Sequence, residues 1–180
     1  MDDGGLAVVL LLAGSLAAGC AGWVRRVAWL AAPVAVAGLA LAAALASASD
    51  RVHVDGRAEV TLLVMLAGAL AVVGGGPVTS RVFVLVDGWD RGARQGSIRR
   101  AGEVLRGGAW IGVLERAGIF ASLVAGWPEG LAIVLGLKGL GRYPELRNQE
   151  RTGAAERFII GTFTSVLWAA ACAGLVRLLV

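Results

Sequence analysis

Two adjacent charged residues, Glu115 and Arg116, interrupt an apolar segment at residues 110–120, WIGVLERAGIF. A carboxylate in such surroundings can act as a general acid or base, as a coupling group in a transporter, or as half of a buried ion pair. Each of these uses requires different partners elsewhere in the chain. The types and positions of the other polar residues therefore decide which chemistry the sequence supports.

Catalytic partners for Glu115 are scarce in this sequence. The single histidine, His53, lies in a polar link between apolar segments, whereas a serine protease or a lipid phosphatase would need a buried catalytic histidine. The two cysteines, Cys20 and Cys172, lie in separate apolar segments, without the spacing of a redox or metal site. We expect no catalytic residue, no cofactor and no bound metal, and we predict that the protein is not an enzyme.

The elements that carry these charges are predicted to be membrane-spanning helices. Of the 180 residues, 57% are hydrophobic and 17% are charged, whereas soluble domains have about a quarter charged residues. The charges fall between apolar segments close to the ~20 residues that cross a bilayer. We predict an all-α, polytopic transmembrane helical bundle that forms a single integral membrane domain over residues 1–180. Its six crossings are expected near residues 4–22, 27–48, 60–76 (or 60–86), 107–127, 128–143 and 158–180.

The first segment has a second interpretation. Residues 16–20, LAAGC, are similar to a lipoprotein cleavage site that ends at Cys20. A signal peptide needs a cationic segment before its apolar part, but this chain begins Met1-Asp2-Asp3. We therefore expect a retained first helix.

Lysine and arginine are distributed unequally between the two sides of the predicted bundle. Twelve of them lie in or beside alternate links, the opposite side has three (Arg51, Arg57 and Arg177), and the other two, Arg81 and Arg116, lie deeper within helices. Basic links face the cytoplasm, so both termini are predicted outside, in a bacterial inner membrane. The twelve cytoplasmic residues are Arg25, Arg26, Arg91, Arg94, Arg99, Arg100, Arg106, Lys138, Arg142, Arg147, Arg151 and Arg157.

This orientation places six charged residues from four helices in the inner half of the bilayer. Glu115 lies in a stripe of small and polar residues, so we expect it to face protein and to pair with Lys138 or Arg81. Arg116, about 100° round the helix, is expected to snorkel to the headgroups. Glu156 either joins this cluster or favours the positive end of its helix dipole. The candidate cluster is Arg81, Glu115, Arg116, Lys138, Glu156 and Arg157.

Residues 74–77, GGGP, are poor helix formers within the third crossing. A broken membrane helix is tolerated only where its backbone is buried in protein or meets water. Gly74, Gly75, Gly76 and Pro77 could therefore form a hinge, as in transporters with discontinuous helices. The alternative, which we favour from the sequence, is that the helix ends at Gly76 and residues 78–86 lie in the interface.

A basic segment at residues 91–106, RGARQGSIRRAGEVLR, follows the third crossing. It is interpreted either as an ordinary inside loop or as an interfacial segment that holds anionic lipid headgroups. Because the net charge of +4 accompanies long apolar segments, a membrane surface rather than nucleic acid is the expected acidic partner.

From residue 108 to 165 the chain resembles the C-terminal membrane module of a family of bacterial integral membrane proteins. The segments that carry the resemblance are GAWIGVLER (108–116), WPEG (127–130), GLKGLGRYPEL (136–146) and AERFIIGTFTS (155–165). The family pattern usually has serine after the lysine, where this chain has Gly139. The resemblance implies a membrane location but no assigned activity. The matching positions are Glu115, Arg116, Lys138, Glu156, Gly161 and Thr162.

A second motif resembles that of a known enzyme family, but the sequence lacks the other residues that this family's reaction needs. Residues 86–94, VDGWDRGAR, are similar to the Asp-Gly-x-x-Ala-Arg opening of membrane CDP-alcohol phosphotransferases. That reaction needs further aspartates along the next helix to hold divalent metals, and no aspartate follows Asp90.

Two functional hypotheses remain. The preferred one is a non-catalytic structural or partner-binding subunit, in which the charged cluster fixes helix packing and binds anionic lipid. The alternative is a small oligomeric transporter or channel that uses Glu115 as its coupling carboxylate. The expected partners are membrane lipids and a second copy or another membrane subunit.

Overall fold

The described part of the chain is helical. The structure, a computed structural model, describes residues 3–24, 26–48, 54, 56–89, 108–147 and 154–180. Within these residues it has six helices and no β-strand, which confirms the all-α prediction. The helices are α1 (Asp3–Ala21), α2 (Ala28–Ala48), α3 (Arg57–Trp89), α4 (Gly108–Val124), α5 (Glu129–Arg147) and α6 (Ala154–Leu179).

The helix bounds agree with the prediction at α1 and α2 and differ most at α3. That helix begins at Arg57 and continues through Pro77 to Trp89. The prediction that it ends at Gly76 is therefore wrong, and so is the prediction of a broken helix. The other differences are smaller: α5 continues beyond residue 143 to Arg147, and α6 begins at Ala154 rather than at residue 158.

Four of the helices are long and apolar enough to cross a membrane. These candidate spans are Gly4–Ala21, Ala28–Ala48, Arg57–Asp87 and Ala155–Leu179. The two remaining helices do not meet this measure: α4 has only 17 residues, and α5 combines 19 residues with several charges. Length and composition therefore support a membrane protein through four of the six predicted crossings.

The centre of the bundle is formed by α3 and α6, which run antiparallel. At one end, the backbone N–H of Val54 donates to the carbonyl of Leu179 at 3.0 Å. At the other end, Asp87 in α3 accepts a hydrogen bond from Arg157 in α6. Helix α3 also packs against α1, α2 and α4, and α6 packs against α2 and α4. The core between them is apolar, and Phe120 and Trp168 are its buried aromatic side chains.

A second antiparallel pair, α4 and α5, forms a hairpin that packs on this centre through α4. Gly118 faces Val134 and Gly130 faces Ser122, so residues equally far from the turn lie opposite each other. Gly126 in the turn has a φ of +73°, which glycine adopts without steric penalty. The hairpin thereby brings the middle of α5 alongside the charged turn of α4.

The stripe of small and polar residues that the sequence predicts around Glu115 faces protein. On α4, Glu115, Ile119 and Ser122 are all at most 9% exposed. On α6, Ser165 and Cys172 are buried in the same way. Small residues on these faces permit the close helix packing that buries Glu115 and Ser165.

Candidate functional site

A polar layer joins four helices in the middle of the described structure. We define this polar layer as Glu115 and Arg116 of α4, Lys138 of α5, and Thr162 and Ser165 of α6. Arg116 connects the layer to α3. Thr162 and Ser165 are three residues apart and so share one face of α6. With two cations and one carboxylate, the polar layer carries a formal charge of +1.

Glu115 forms an ion pair with Lys138, one of the two partners that the sequence predicts. The ammonium of Lys138 donates to Oε2 of Glu115. Lys138 also lies 5.7 Å from the ring centroid of Phe158 in α6, a distance at which the ring face attracts a cation. Oε1 of Glu115 is buried and has no hydrogen-bond partner among the described residues. The pair ties α4 to α5 and leaves one carboxylate oxygen unused.

Arg116 does not snorkel to the headgroups, so that prediction is wrong. The residue is 5% exposed, and its Nε donates to the carbonyl of Val72 in α3 at 3.0 Å. One terminal nitrogen also lies 3.4 Å from Oγ of Ser165 in α6. Two of the five N–H donors of the guanidinium therefore find acceptors inside the bundle, and they connect α4 to both central helices.

Glycines on two helices make the room that Arg116 occupies. A Cβ at Gly75 of α3 would lie 2.6 Å from Nε of Arg116, closer than real side chains approach. A Cβ at Gly112, one turn earlier on α4, would lie 3.1 Å from a terminal nitrogen of the same guanidinium. The helix wheel of α4 cannot predict this burial, because the space that permits it belongs largely to another helix.

The neighbouring glycines of α3 accommodate tryptophans. A Cβ at Gly74 would lie 2.9 Å from Cζ2 of Trp168, and one at Gly76 would lie 2.9 Å from Cζ2 of Trp23. Residues 74–76 therefore form a bare stretch of helix on which three large side chains from other segments lie. We call it the glycine surface. A hinge function for these residues stays a prediction.

Side-chain donors explain how α3 remains helical across Pro77. Proline has no N–H, so the carbonyl of Val73 lacks its donor from four residues ahead. The indole N–H of Trp23 donates to this carbonyl at 3.3 Å. Trp168 donates in the same way to the carbonyl of Leu70 at 3.1 Å. Together with Arg116, these side chains supply three donors within one turn of α3.

A second ion pair lies at the end of the central helices. Arg157 donates to Oδ1 of Asp87 at 2.6 Å and also contacts Oδ2. Its guanidinium carbon lies 5.0 Å from the ring centroid of Phe83. The side chains of Arg157 and Asp87 are 28% and 33% exposed, so this pair is partly solvated, unlike the polar layer.

The two remaining members of the predicted cluster do not join it. Arg81 is half-buried and forms no ion pair with a described residue. Glu156 is exposed in the first turn of α6, which agrees with the helix-dipole interpretation. The structure therefore gathers Glu115, Arg116 and Lys138, and separates the other charges from them.

Several partners escape prediction from sequence. Asp87 falls in a loop when α3 is ended early, and its pairing follows only once α3 and α6 are known to be antiparallel. The missing N–H of Pro77 does signal an external donor to Val73, but it does not identify Trp23. Thr162, whose hydroxyl is buried without a hydrogen-bond partner in the described residues, had only its family resemblance as a signal.

Among the described residues, no group of three histidine, cysteine or acidic side chains could hold a metal ion. His53, Arg25 and the basic segment 91–106 lie outside the described residues.

No family model, no curated protein and no solved structure matches this chain. The resemblance to the bacterial membrane module therefore stays a prediction, and function has to be inferred from the geometry.

Proposed function

We propose that this chain is a six-crossing membrane protein that acts as a non-catalytic structural or partner-binding subunit. Both termini would lie outside and the basic links would face the cytoplasm of a bacterial cell. The observation that supports this proposal is that every charged side chain of the polar layer binds a group on another helix. Glu115 binds Lys138, and Arg116 binds a carbonyl of α3.

The α4–α5 hairpin is short, yet its contacts support a complete crossing. Near its open end, Lys138 lies over Phe158 in the second turn of α6. Near its closed end, the carbonyl of Leu123 accepts a hydrogen bond from Arg177 at 3.4 Å, in the last turn of α6. Residues 158 and 177 are separated by about 28 Å of helix, close to the ~30 Å thickness of the hydrocarbon layer.

The unequal distribution of basic residues supports the proposed orientation. Whether or not the hairpin crosses the membrane completely, α5 returns the chain to the side on which α4 begins. The links before α4 and after α5 therefore lie on the same side. The same twelve basic residues therefore stay together under either count of crossings, and the positive-inside rule places them in the cytoplasm.

Transport remains the second candidate because of one observation. Oε1 of Glu115 is buried without a hydrogen-bond partner in the described residues, as expected of a carboxylate that exchanges a proton or an ion. Against this candidate, the other oxygen of that carboxylate is held in an ion pair by the ammonium of Lys138. A permanent ion pair is a poor coupling site, because loading it would require breaking the pair.

A flux measurement separates the two candidates. The chain is reconstituted into sealed vesicles with a pH-sensitive dye inside, and an imposed pH or Na⁺ gradient drives the assay. Under either gradient, we expect proton flux no faster than through vesicles that contain the Glu115→Gln variant. Flux that is fast in the wild type and absent in Glu115→Gln would overturn the structural role and establish the coupling carboxylate.

A further inference from the structure

A step in the bundle is formed where α1 ends and α3 continues. Gly22, just after α1, lies so close to Pro77 that a Cβ at Gly22 would be 2.7 Å from the proline ring. Trp23 lies against Gly76. The chain then turns into α2, while α3 continues for twelve residues beyond Pro77 to Trp89, about 18 Å. Beyond Pro77, α1 therefore no longer covers this side of α3.

Arg81 lies on that uncovered side of α3. Gly74 and Pro77 contact α1 and the residue that follows it, and Arg81 is seven and four residues further along the helix. At 100° per residue, Arg81 is within about 40° of both, so it lies directly beyond the end of α1. It is half-buried and has no ion pair with a described residue.

The step opens to lipid rather than to water. Beyond Arg81, Val84 and Leu85 of α3 are 58% and 56% exposed. In the turn above, Val24 and Val27 are 55% and 41% exposed. Apolar side chains on both sides of the step are stable in hydrocarbon and unfavourable in water. An arginine in these surroundings needs an anion, and a phospholipid phosphate is the anion that a membrane supplies.

We propose that this step binds one anionic phospholipid. Its phosphate would lie between Arg81 of α3 and Arg26 of the α1–α2 turn, which is exposed. Its acyl chains would follow the exposed apolar residues of that turn toward the membrane centre. The proposal rests on the proposed function only in placing this turn in the cytoplasmic leaflet. Phosphatidylglycerol matches the site because its phosphate is negatively charged and its headgroup carries no cation that would repel the arginines.

Native mass spectrometry tests the site directly. The purified chain is equilibrated in detergent with equal amounts of phosphatidylglycerol and phosphatidylcholine, and the lipid adducts are counted. Wild type is expected to retain phosphatidylglycerol preferentially, and Arg81→Gln should lower its retention about fivefold, since one basic residue near anionic lipid contributes about that factor. Arg57→Gln is the matched control, because Arg57 is exposed at the opposite end of the same helix.

Several outcomes would overturn the proposal. Equal phosphatidylglycerol retention by wild type and Arg81→Gln would exclude the site, and so would equal loss in Arg57→Gln. Displacement of the adduct by excess inorganic phosphate would identify a soluble anion as the ligand instead of a lipid. If Arg81→Gln does not fold, Arg26→Gln decides, because its side chain is exposed and is expected to lose the same adduct. Ion flux in vesicles would refute the structural role without affecting these results.

Discussion

At the residue scale, Glu115 and Arg116 have separate partners in different directions. Neighbouring residues on a helix project about 100° apart, so they cannot neutralise each other by direct contact. Glu115 reaches α5 through Lys138, and Arg116 reaches α3 through the Val72 carbonyl. Two charges placed side by side thereby connect α4 to its neighbours in two directions, which a single charge could not do.

Removing the carboxylate charge should destabilise the bundle. In Glu115→Gln, Lys138 stays in its partly buried position without a counter-ion, and breaking a buried pair in this way costs about 3 kcal/mol. We expect a lower melting temperature in detergent, measured by the loss of helical circular dichroism.

The control for this variant is Glu129→Gln, which makes the same chemical change at an exposed position of the hairpin. Its melting temperature should stay close to that of wild type, because a carboxylate in the first turn of a helix contributes only about 0.3–1 kcal/mol through the helix dipole. A melting curve for Glu115→Gln that matches both would contradict the structural assignment of the ion pair.

Filling the glycine surface should also destabilise the protein. In Gly75→Ala the new Cβ would overlap the Arg116 side chain, and overpacking of this kind costs about 1–3 kcal/mol. Alanine is the better helix former, so intrinsic propensity alone would favour the variant. The sign of the change in melting temperature therefore distinguishes packing from propensity.

Gly14→Ala provides the comparison, because a Cβ at Gly14 of α1 would meet nothing within 4 Å. This variant is expected to melt at the wild-type temperature or slightly above it. A Gly75→Ala variant that behaves in the same way would show that Arg116 does not occupy the space next to α3.

What the sequence predicts at this scale depends on whether a residue's own helix decides its environment. The burial of Glu115 can be predicted from the small residues around it on α4. Its pairing with Lys138 can be predicted, as one of two choices, from the similar depth of the two residues in the membrane. The direction of Arg116 does not follow, because Gly75 of α3 provides most of its space. Pairing of Asp87 is missed for a similar reason, since it depends on the antiparallel approach of α3 and α6.

At the element scale, α3 illustrates how packing overrides local preference. Three glycines and a proline predict an interruption, since each disfavours a helix. In the folded chain, Trp23, Trp168 and Arg116 donate to carbonyls within one turn of α3 and cover its bare surface. Helix bounds can therefore be predicted from sequence where the segment's own residues determine the helix, as in α1 and α2. They cannot be predicted where side chains of other segments supply hydrogen bonds and packing, as in α3.

The α4–α5 hairpin gives a prediction about topology. In a background with Cys20 and Cys172 replaced by alanine, single cysteines are placed at Glu129, Tyr143 and Arg57 and are treated with an impermeant thiol reagent. A complete crossing puts Glu129 on the same side as Arg57, with Tyr143 on the opposite side. We expect the cysteines at Glu129 and Arg57 to react from outside intact cells, and the one at Tyr143 only after lysis.

Two results would change the interpretation. A cysteine at Glu129 that reacts only after lysis, or not at all, would make the hairpin re-entrant and reduce the crossings to four. A cysteine at Arg57 that stays protected in intact cells would reverse the proposed orientation of the whole chain.

At the scale of the whole molecule, the polar layer and the ion pair Asp87–Arg157 both connect α3 to α6, at two levels of the bundle. The polar layer is buried and connects α3, α4, α5 and α6, whereas the outer pair is partly solvated and connects α3 to α6 alone. Partly exposed pairs contribute little to stability, about 0–1 kcal/mol. Removing one partner from the buried layer should therefore cost more stability than removing one from the outer pair. Helices α1 and α2 depend instead on small residues and apolar contacts.

The fit of Arg116 against Gly75 also constrains how the sequence can diverge. Because one side chain occupies the volume that a Cβ at the other position would need, neither residue can be enlarged independently. Homologous chains that keep this packing should show the two positions covarying by size, with glycine opposite arginine or a bulkier residue opposite a short one. Such a pattern would be an evolutionary record of a contact between positions that lie far apart along the chain.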